Sequence, residues 1–187
     1  MLVVHGEVAR IQYDGVSDLY CKYKLDFGTD WAMTAGLEEG LSQTSVHGQS
    51  DGDFVFNLPV EATFKSTNPF GWPQLVLSAY GSDFMGRDVV RGYGAVHLPT
   101  TAGRHQLRVP LFVPQDVSLL QRYIGILSGK RPEFVNSTIV AKSEGREVTR
   151  VTSHGSAIIS IDVSLKDLHK FGYLNTSATS PMPSASS

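Results

Sequence analysis

The sequence predicts an all-β protein: an antiparallel β-sandwich with one main helix near residues 116–128. Three observations carry that expectation. Apolar and polar residues alternate at period two over long runs. Turn residues separate those runs at short intervals. Only one stretch, after Pro114, switches to helical spacing.

The clearest strand is 54–65. Phe54, Phe56, Leu58, Val60, Ala62 and Phe64 alternate with Val55, Asn57, Pro59, Glu61, Thr63 and Lys65. One face is apolar and the other mostly polar, as a half-buried strand requires. Pro59 has no N–H to give to a ladder, so it marks an edge or a bulge. Leu19, Cys21, Tyr23, Leu25 and Phe27 form a second stripe. Leu107, Val109, Leu111 and Val113 form a third, and Ala157, Ile159, Ile161, Val163 and Leu165 a fourth. Weaker strand patterns lie near 2–12, 42–48, 74–80, 91–98 and 146–152. Asp51-Gly52, Asn68-Pro69, Phe70-Gly71, Ala102-Gly103 and His154-Gly155 supply the turns. In the helical stretch, Leu120, Tyr123, Ile124 and Leu127 share one face. Asp116 can cap its start and Gly129 its end. Ser164-Leu165-Lys166-Asp167 resembles a capping box, which suggests a short turn ended by Gly172.

Bulk properties fit one domain, assigned to 1–173, followed by a disordered Ser/Thr/Pro-rich tail at 174–187, in which Met182 is the one large apolar residue after Asn175. Net charge is -2, so the global balance gives no support to nucleic-acid binding, which needs cations against phosphates. Cys21 is the single cysteine, which excludes an intramolecular disulfide and fits a reducing compartment. Residues 1–7 lack the basic and apolar regions of a signal peptide. No run approaches the roughly 20 apolar residues of a membrane helix.

Several blocks together resemble the B9-domain family. They are Asp18-Leu19-Tyr20-Cys21-Lys22-Tyr23, Asp30-Trp31, Thr34-Ala35-Gly36-Leu37-Glu38-Glu39-Gly40, Phe64 through Gln74, Asp88 through His97, and Gly145 through Val151. The resemblance spans roughly 1–173. It implies a C2-like fold and membership of the Meckel-syndrome complex at the ciliary transition zone and basal body. The implied partners are other B9-domain proteins, on the cytoplasmic side of the ciliary base. The implied roles are ciliogenesis and gating of the cilium. The family has no established catalytic residues, so none is carried over.

Chemical motifs are sparse. Gly48-Gln49-Ser50-Asp51-Gly52 matches the nucleophile-elbow pattern, but that chemistry needs a strand-to-helix turn, and Asp53 onward alternates as a strand. Asp51-Gly52 therefore reads as a hairpin turn, and no enzyme is expected. Calcium needs about six to eight oxygen ligands, and Asp51, Asp53, Asp83 and Asp88 are too few. His5, His47, His97, His105, His154 and His169 show no zinc-like spacing. No metal or cofactor is expected. The candidate partner-contact residues are Phe70, Trp72, Phe84, Arg87 and Arg91, in or beside loops rich in glycine and proline. Arg87, Arg91, Arg104, Arg108, Arg146 and Arg150 leave open a second role, calcium-independent binding of anionic phospholipid.

Overall fold

A computed structural model describes residues 1–46, 53–114 and 151–166. The main helix expected at 116–128, the Asp51-Gly52 turn, the Ser50 motif and the tail lie outside the described residues.

The described residues form strands β1 (Leu2–Tyr13), β2 (Asp18–Asp26), β3 (Trp31–Gly36), β4 (Glu39–Leu41), β5 (Ser45–Val46), β6 (Asp53–Ser66), β7 (Gln74–Ser82), β8 (Asp88–His97), β9 (Gly103–Pro114) and β10 (Val151–Leu165). Their order is β3-β6-β1-β10-β9-β8-β7-β2-β4, with β5 paired to β2. Every pairing is antiparallel. The β8–β9 pairing is confined to Tyr93 opposite Phe112, and the sheet folds over at that narrow junction. One layer is β3-β6-β1-β10-β9 and the other is β8-β7-β2-β4. This is the antiparallel sandwich the alternation predicts, in a C2-like arrangement.

The core lies between the layers. Val4, Val8, Ile11, Phe54, Val60, Phe64, Ile159 and Ile161 face Leu19, Cys21, Tyr23, Leu25, Leu75 and Leu77 across it. Burial strictly alternates along β2 and along most of β6, the direct consequence of their period-two sequences. Burying each of these aliphatic and aromatic side chains contributes about 1.5–3 kcal/mol.

β1 and β6 share an irregularity between Val8 and Arg10, opposite Leu58 and Val55. Asn57 sits there at φ 47°, a left-handed conformation that asparagine tolerates better than most residues. Pro59 follows it. β3 covers β6 only from Ala62 to Ser66, so Pro59 lies where β6 has no β3 neighbour, consistent with its missing donor.

The antiparallel register defines two ends. At one end lie the 14–17 and 83–87 loops, the start of β6, and the paired residues Pro114 and Val151. At the other lie the 27–30, 67–73 and 98–102 loops.

Candidate interaction surface

Local sequence pins each loop differently. In the 67–73 loop, Asn68 accepts the Phe70 N–H on Oδ1 at 3.1 Å and donates from Nδ2 to Asp30 at 3.1 Å. Ser66 Oγ donates to the Asp30 carbonyl at 2.8 Å and accepts the Asn68 N–H at 3.1 Å. The Trp31 indole donates to the Phe70 carbonyl at 3.0 Å. This is the turn chemistry of a short polar side chain bonding backbone two residues on. Gly28 N–H donates to the Gly71 carbonyl at 2.9 Å, and the two glycine backbones nearly touch. The result is a rigid loop whose Phe70 ring is 80% exposed.

Trp72, two residues on, has a different environment. Its ring stands edge-on to Trp31 with centroids 5.0 Å apart, and its indole donates to the Leu98 carbonyl at 2.8 Å. Trp31 in turn packs on Phe64, which also meets Phe27. Trp72 closes this end of the core, while Phe70 projects from it.

At the other end Asp83 organises the 83–87 loop. Its Oδ1 accepts the Met85 and Arg87 N–H groups at 2.8 and 3.0 Å, and its Oδ2 accepts the Arg87 guanidinium at 2.9 and 3.0 Å. The Arg87 N–H, with the Met85 N–H and the Arg87 guanidinium, holds the Asp83 carboxyl below its ordinary pKa. Phe84 is 84% exposed and Met85 is exposed beside it. Arg91 donates to the Ser82 carbonyl, and its own carbonyl accepts the Tyr13 hydroxyl at 2.8 Å. Asp18 is held below its ordinary pKa chiefly by the Ser82 hydroxyl.

The five sequence candidates therefore divide. Phe70 and Trp72 lie at one end; Phe84, Arg87 and Arg91 lie at the other, separated by the nine-residue β7, roughly 26 Å of strand. Phe70 and Phe84 are open to a partner. Trp72, Arg87 and Arg91 hold the domain's own loops. The arginines also separate: Arg87 and Arg91 flank the start of β8, Arg104 is at the opposite end on β9, and Arg108 donates to the Ser156 hydroxyl at 3.1 Å. Arg146 and Arg150 lie outside the described residues.

Other exposed apolar residues went unnoticed in the sequence. Leu37, Leu41 and Val46 stand exposed along the segment that runs up the open side of the sandwich. That segment is stitched to both layers. Leu37 N–H donates to the Glu61 carbonyl, Ser42 N–H to the Cys21 carbonyl, and Gln43 Nε2 to the Phe56 carbonyl. Leu37 and Leu41 are set singly among glycine, glutamate and serine without strand or helix period, and Val46 falls in the weak strand pattern at 42–48.

Among the described residues, no cluster of histidine, cysteine and carboxylates could hold a metal ion. Three carboxylates near the 83–87 loop are engaged: Asp83 with Arg87, Asp53 with Arg10 at 3.2 Å, and Asp18 with Ser17 and Ser82. Cys21 is buried, and burial pushes its thiol pKa up to about 11. A protonated, enclosed thiol is a poor nucleophile.

Comparison with known proteins fixes the family. The family model described as ciliary basal body-associated B9 protein, a B9-C2 domain, matches residues 2–164. The chain belongs to the B9-domain family. It is 53% identical to B9 domain-containing protein 1 of Xenopus laevis over 99% of this chain and 93% of that one. It is 51% identical to B9 domain-containing protein 1 of Homo sapiens over 92% and 85%. B9 domain-containing protein 2 of Bos taurus is 28% identical over 92% of this chain and 98% of its own. Among solved structures, a C2 domain of plant extended synaptotagmin 1 aligns with 88% of this chain and 95% of that one, at TM-score 0.46 and 11% identity. The two braced loops lie within the matched residues 2–164.

Proposed function

We propose that this B9 domain is a non-enzymatic structural adaptor. It assembles with other B9-domain proteins in the Meckel-syndrome complex of the transition zone, on the cytoplasmic side of the ciliary base. There it supports ciliogenesis and gating. One observation carries the reading: each end of a rigid sandwich presents a phenylalanine at least 80% exposed on a loop pinned by its own side chains. A braced aromatic loses little conformational freedom when a partner covers it, which is what a binding anchor requires. The family contains at least two kinds of B9 protein, so partners of the same fold are at hand.

The test is co-expression of the full chain with B9 domain-containing protein 2, followed by pull-down. Phe70→Ser and Phe84→Ser should each leave the circular dichroism spectrum unchanged, and at least one should weaken capture tenfold or more. Normal capture by both folded variants, with every B9 partner tried, overturns the reading.

A second reading, a calcium-independent phospholipid-binding module, is favoured by the adjacency of Phe84 and Met85 at one loop tip. The charge around that tip weighs against anionic lipid. Among the described residues at that end, Asp14, Asp18, Asp53, Asp83 and Asp88 outnumber Arg10, Arg87, Arg91 and Arg108. Flotation of the chain with phosphatidylserine vesicles, with and without the B9 partner, separates the two.

A further inference from the structure

The outer face of the four neighbouring strands β6, β1, β10 and β9 carries a charge pattern that neither loop end uses. The register sets Glu61, His5, Asp162 and Arg104 side by side in one row across these strands. All four are exposed, while their chain neighbours Val4, Ala62, Ile161 and Val163 are buried in the core, so the row faces water. Glu61 lies 3.9 Å from the His5 ring. Asp162 and Arg104 are cross-strand neighbours, yet among the described residues neither has an ion-pair partner. Their charges stand free for another chain.

We propose that this face pairs with the same face of a second copy of the chain, about a two-fold axis that runs along the strands between β1 and β10. Such an axis reverses the strand order, so β9 of one copy lies over β6 of the other and β10 lies over β1. Arg104 then meets Glu61 of the second copy, and His5 meets its Asp162. Each carboxylate of the row faces a guanidinium or an imidazole. A two-fold axis across the strands would instead stack every residue of the row on its own copy and set like charges together. The next row, Pro59-Glu7-Ser160-Gln106, puts Glu7 opposite Ser160. Beyond the bulge, Val55-Arg10-Ile158-Arg108 puts each arginine opposite an aliphatic side chain. No like charges meet in these three rows. Exposed ion pairs add little affinity, but they choose the axis and reject other arrangements.

The dimensions agree. Stacked sheets lie about 10 Å apart, a gap that facing glutamate and arginine side chains bridge. Aligned sheets cross at about 30°, which shifts facing residues of the outer strands by roughly 4 Å, within reach of an arginine. Four strands and the ten residues from Val3 to Gln12 make a face of roughly 650 Å² per copy, or roughly 1,300 Å² buried in all. That is near the lower bound for a stable interface, so the dimer is reversible and salt-sensitive. Phe70 and Phe84 lie on loops beyond the strand ends and stay open. Self-pairing therefore goes beyond the partner reading and does not compete with it.

The test is sedimentation velocity of the full chain over roughly a hundredfold range of concentration reaching the high micromolar. The native chain should show a monomer–dimer equilibrium that weakens in high salt. Glu61→Arg and Arg104→Glu each set like charges together at both symmetric contacts, so each should raise the dimer Kd roughly tenfold or more with an unchanged circular dichroism spectrum. An equimolar mixture of the two variants should dimerise as the native chain does. In the mixed pair the two changed residues face each other, and the unchanged Arg104 still meets the unchanged Glu61. A native chain that stays monomeric throughout overturns the proposal, and loss of B9 domain-containing protein 2 capture by the same variants would then assign the face to that partner. Dimerisation indifferent to both single reversals, or a mixture that fails to restore it, overturns the proposal as well.

Discussion

Trp72 and Phe70 are two residues apart in one loop, and the structure gives them opposite roles, which a pair of alanine substitutions separates. Trp72→Ala removes an edge-to-face partner of Trp31 at 5.0 Å, worth about 0.5–1.5 kcal/mol beyond its area. It leaves the Leu98 carbonyl without the indole donor now 2.8 Å away, at about 1–3 kcal/mol if water cannot replace it. With the lost apolar contact included, the total belongs with large-aromatic truncations, about 3–5 kcal/mol. In a domain of this size that lowers Tm by roughly 6–20 °C. Phe70→Ala removes a ring that is 80% exposed, so it should change stability by less than about 0.5 kcal/mol. Its effect should appear in partner capture. Differential scanning calorimetry of both variants, beside pull-down with a B9 partner, reads the contrast. The reasoning fails if Trp72→Ala melts within about 2 °C of the parent, well short of the expected shift, or if Phe70→Ala is as destabilising as Trp72→Ala.

Other expectations follow from single features of the structure. Gly71→Ala combines a φ of 70° with a Cβ about 2.5 Å from the Gly28 Cα, so the variant should melt several degrees lower or express poorly; an unchanged melting curve would show that the loop gives way freely. Cys21 should resist a disulfide reagent at mildly alkaline pH until the domain unfolds, and rapid labelling of the native protein would show an opening path to the core. Its folded-state pKa is raised, so the protonated thiol contributes stability that is full below about pH 9 and is lost as pH rises toward 11. Denaturant midpoints should therefore fall across that window, and Cys21→Ala should fall less. Calorimetric titration should show no micromolar calcium binding, because Arg87, Arg10 and serine hydroxyls already engage Asp83, Asp53 and Asp18; a micromolar isotherm would mean that these three yield to the cation.

The strands easiest to read in the sequence were those with one dry face and one wet face. β6 and β2 show it plainly, since each alternates residue by residue and each is buried on one side. β7 was visible only as a weak pattern because its Leu75-Val76-Leu77 run is buried on both faces, which erases the period. β3 escaped notice for the opposite reason. Ala32, Thr34, Ala35 and Gly36 are exposed at the sheet edge, so backbone pairing to β6 holds the strand and leaves little mark on composition. The same logic governs the loops. Phe70 and Phe84 were identified as candidates from aromatic residues beside glycine and proline. That signal could not distinguish them from Trp72, because the distinction depends on Leu98 and Trp31, both distant in sequence.

The arginines show why charge alone was misleading about how to test an interface. Read in isolation, Arg87 and Arg91 are mobile cations next to an aromatic loop, and reversing their charge would look like a clean surface experiment. In the structure Arg87 is bonded to Asp83, and the same carboxylate holds the backbone of Met85 and of Arg87 itself. Arg87→Glu would place two carboxylates together and release the loop that presents Phe84. Weakened binding by that variant would be ambiguous between a lost contact and a lost presentation. Phe84→Ser keeps the Asp83 bracing and removes only the ring. If Phe84 is the anchor, Phe84→Ser and Arg87→Glu should both reduce capture, whereas Arg87→Lys, which keeps one donor to Asp83, should retain most of it. Full capture by Arg87→Glu alongside loss by Phe84→Ser would show that the loop does not need its brace to work. Loss by Arg87→Lys with normal capture by Phe84→Ser would move the contact from the ring to the guanidinium.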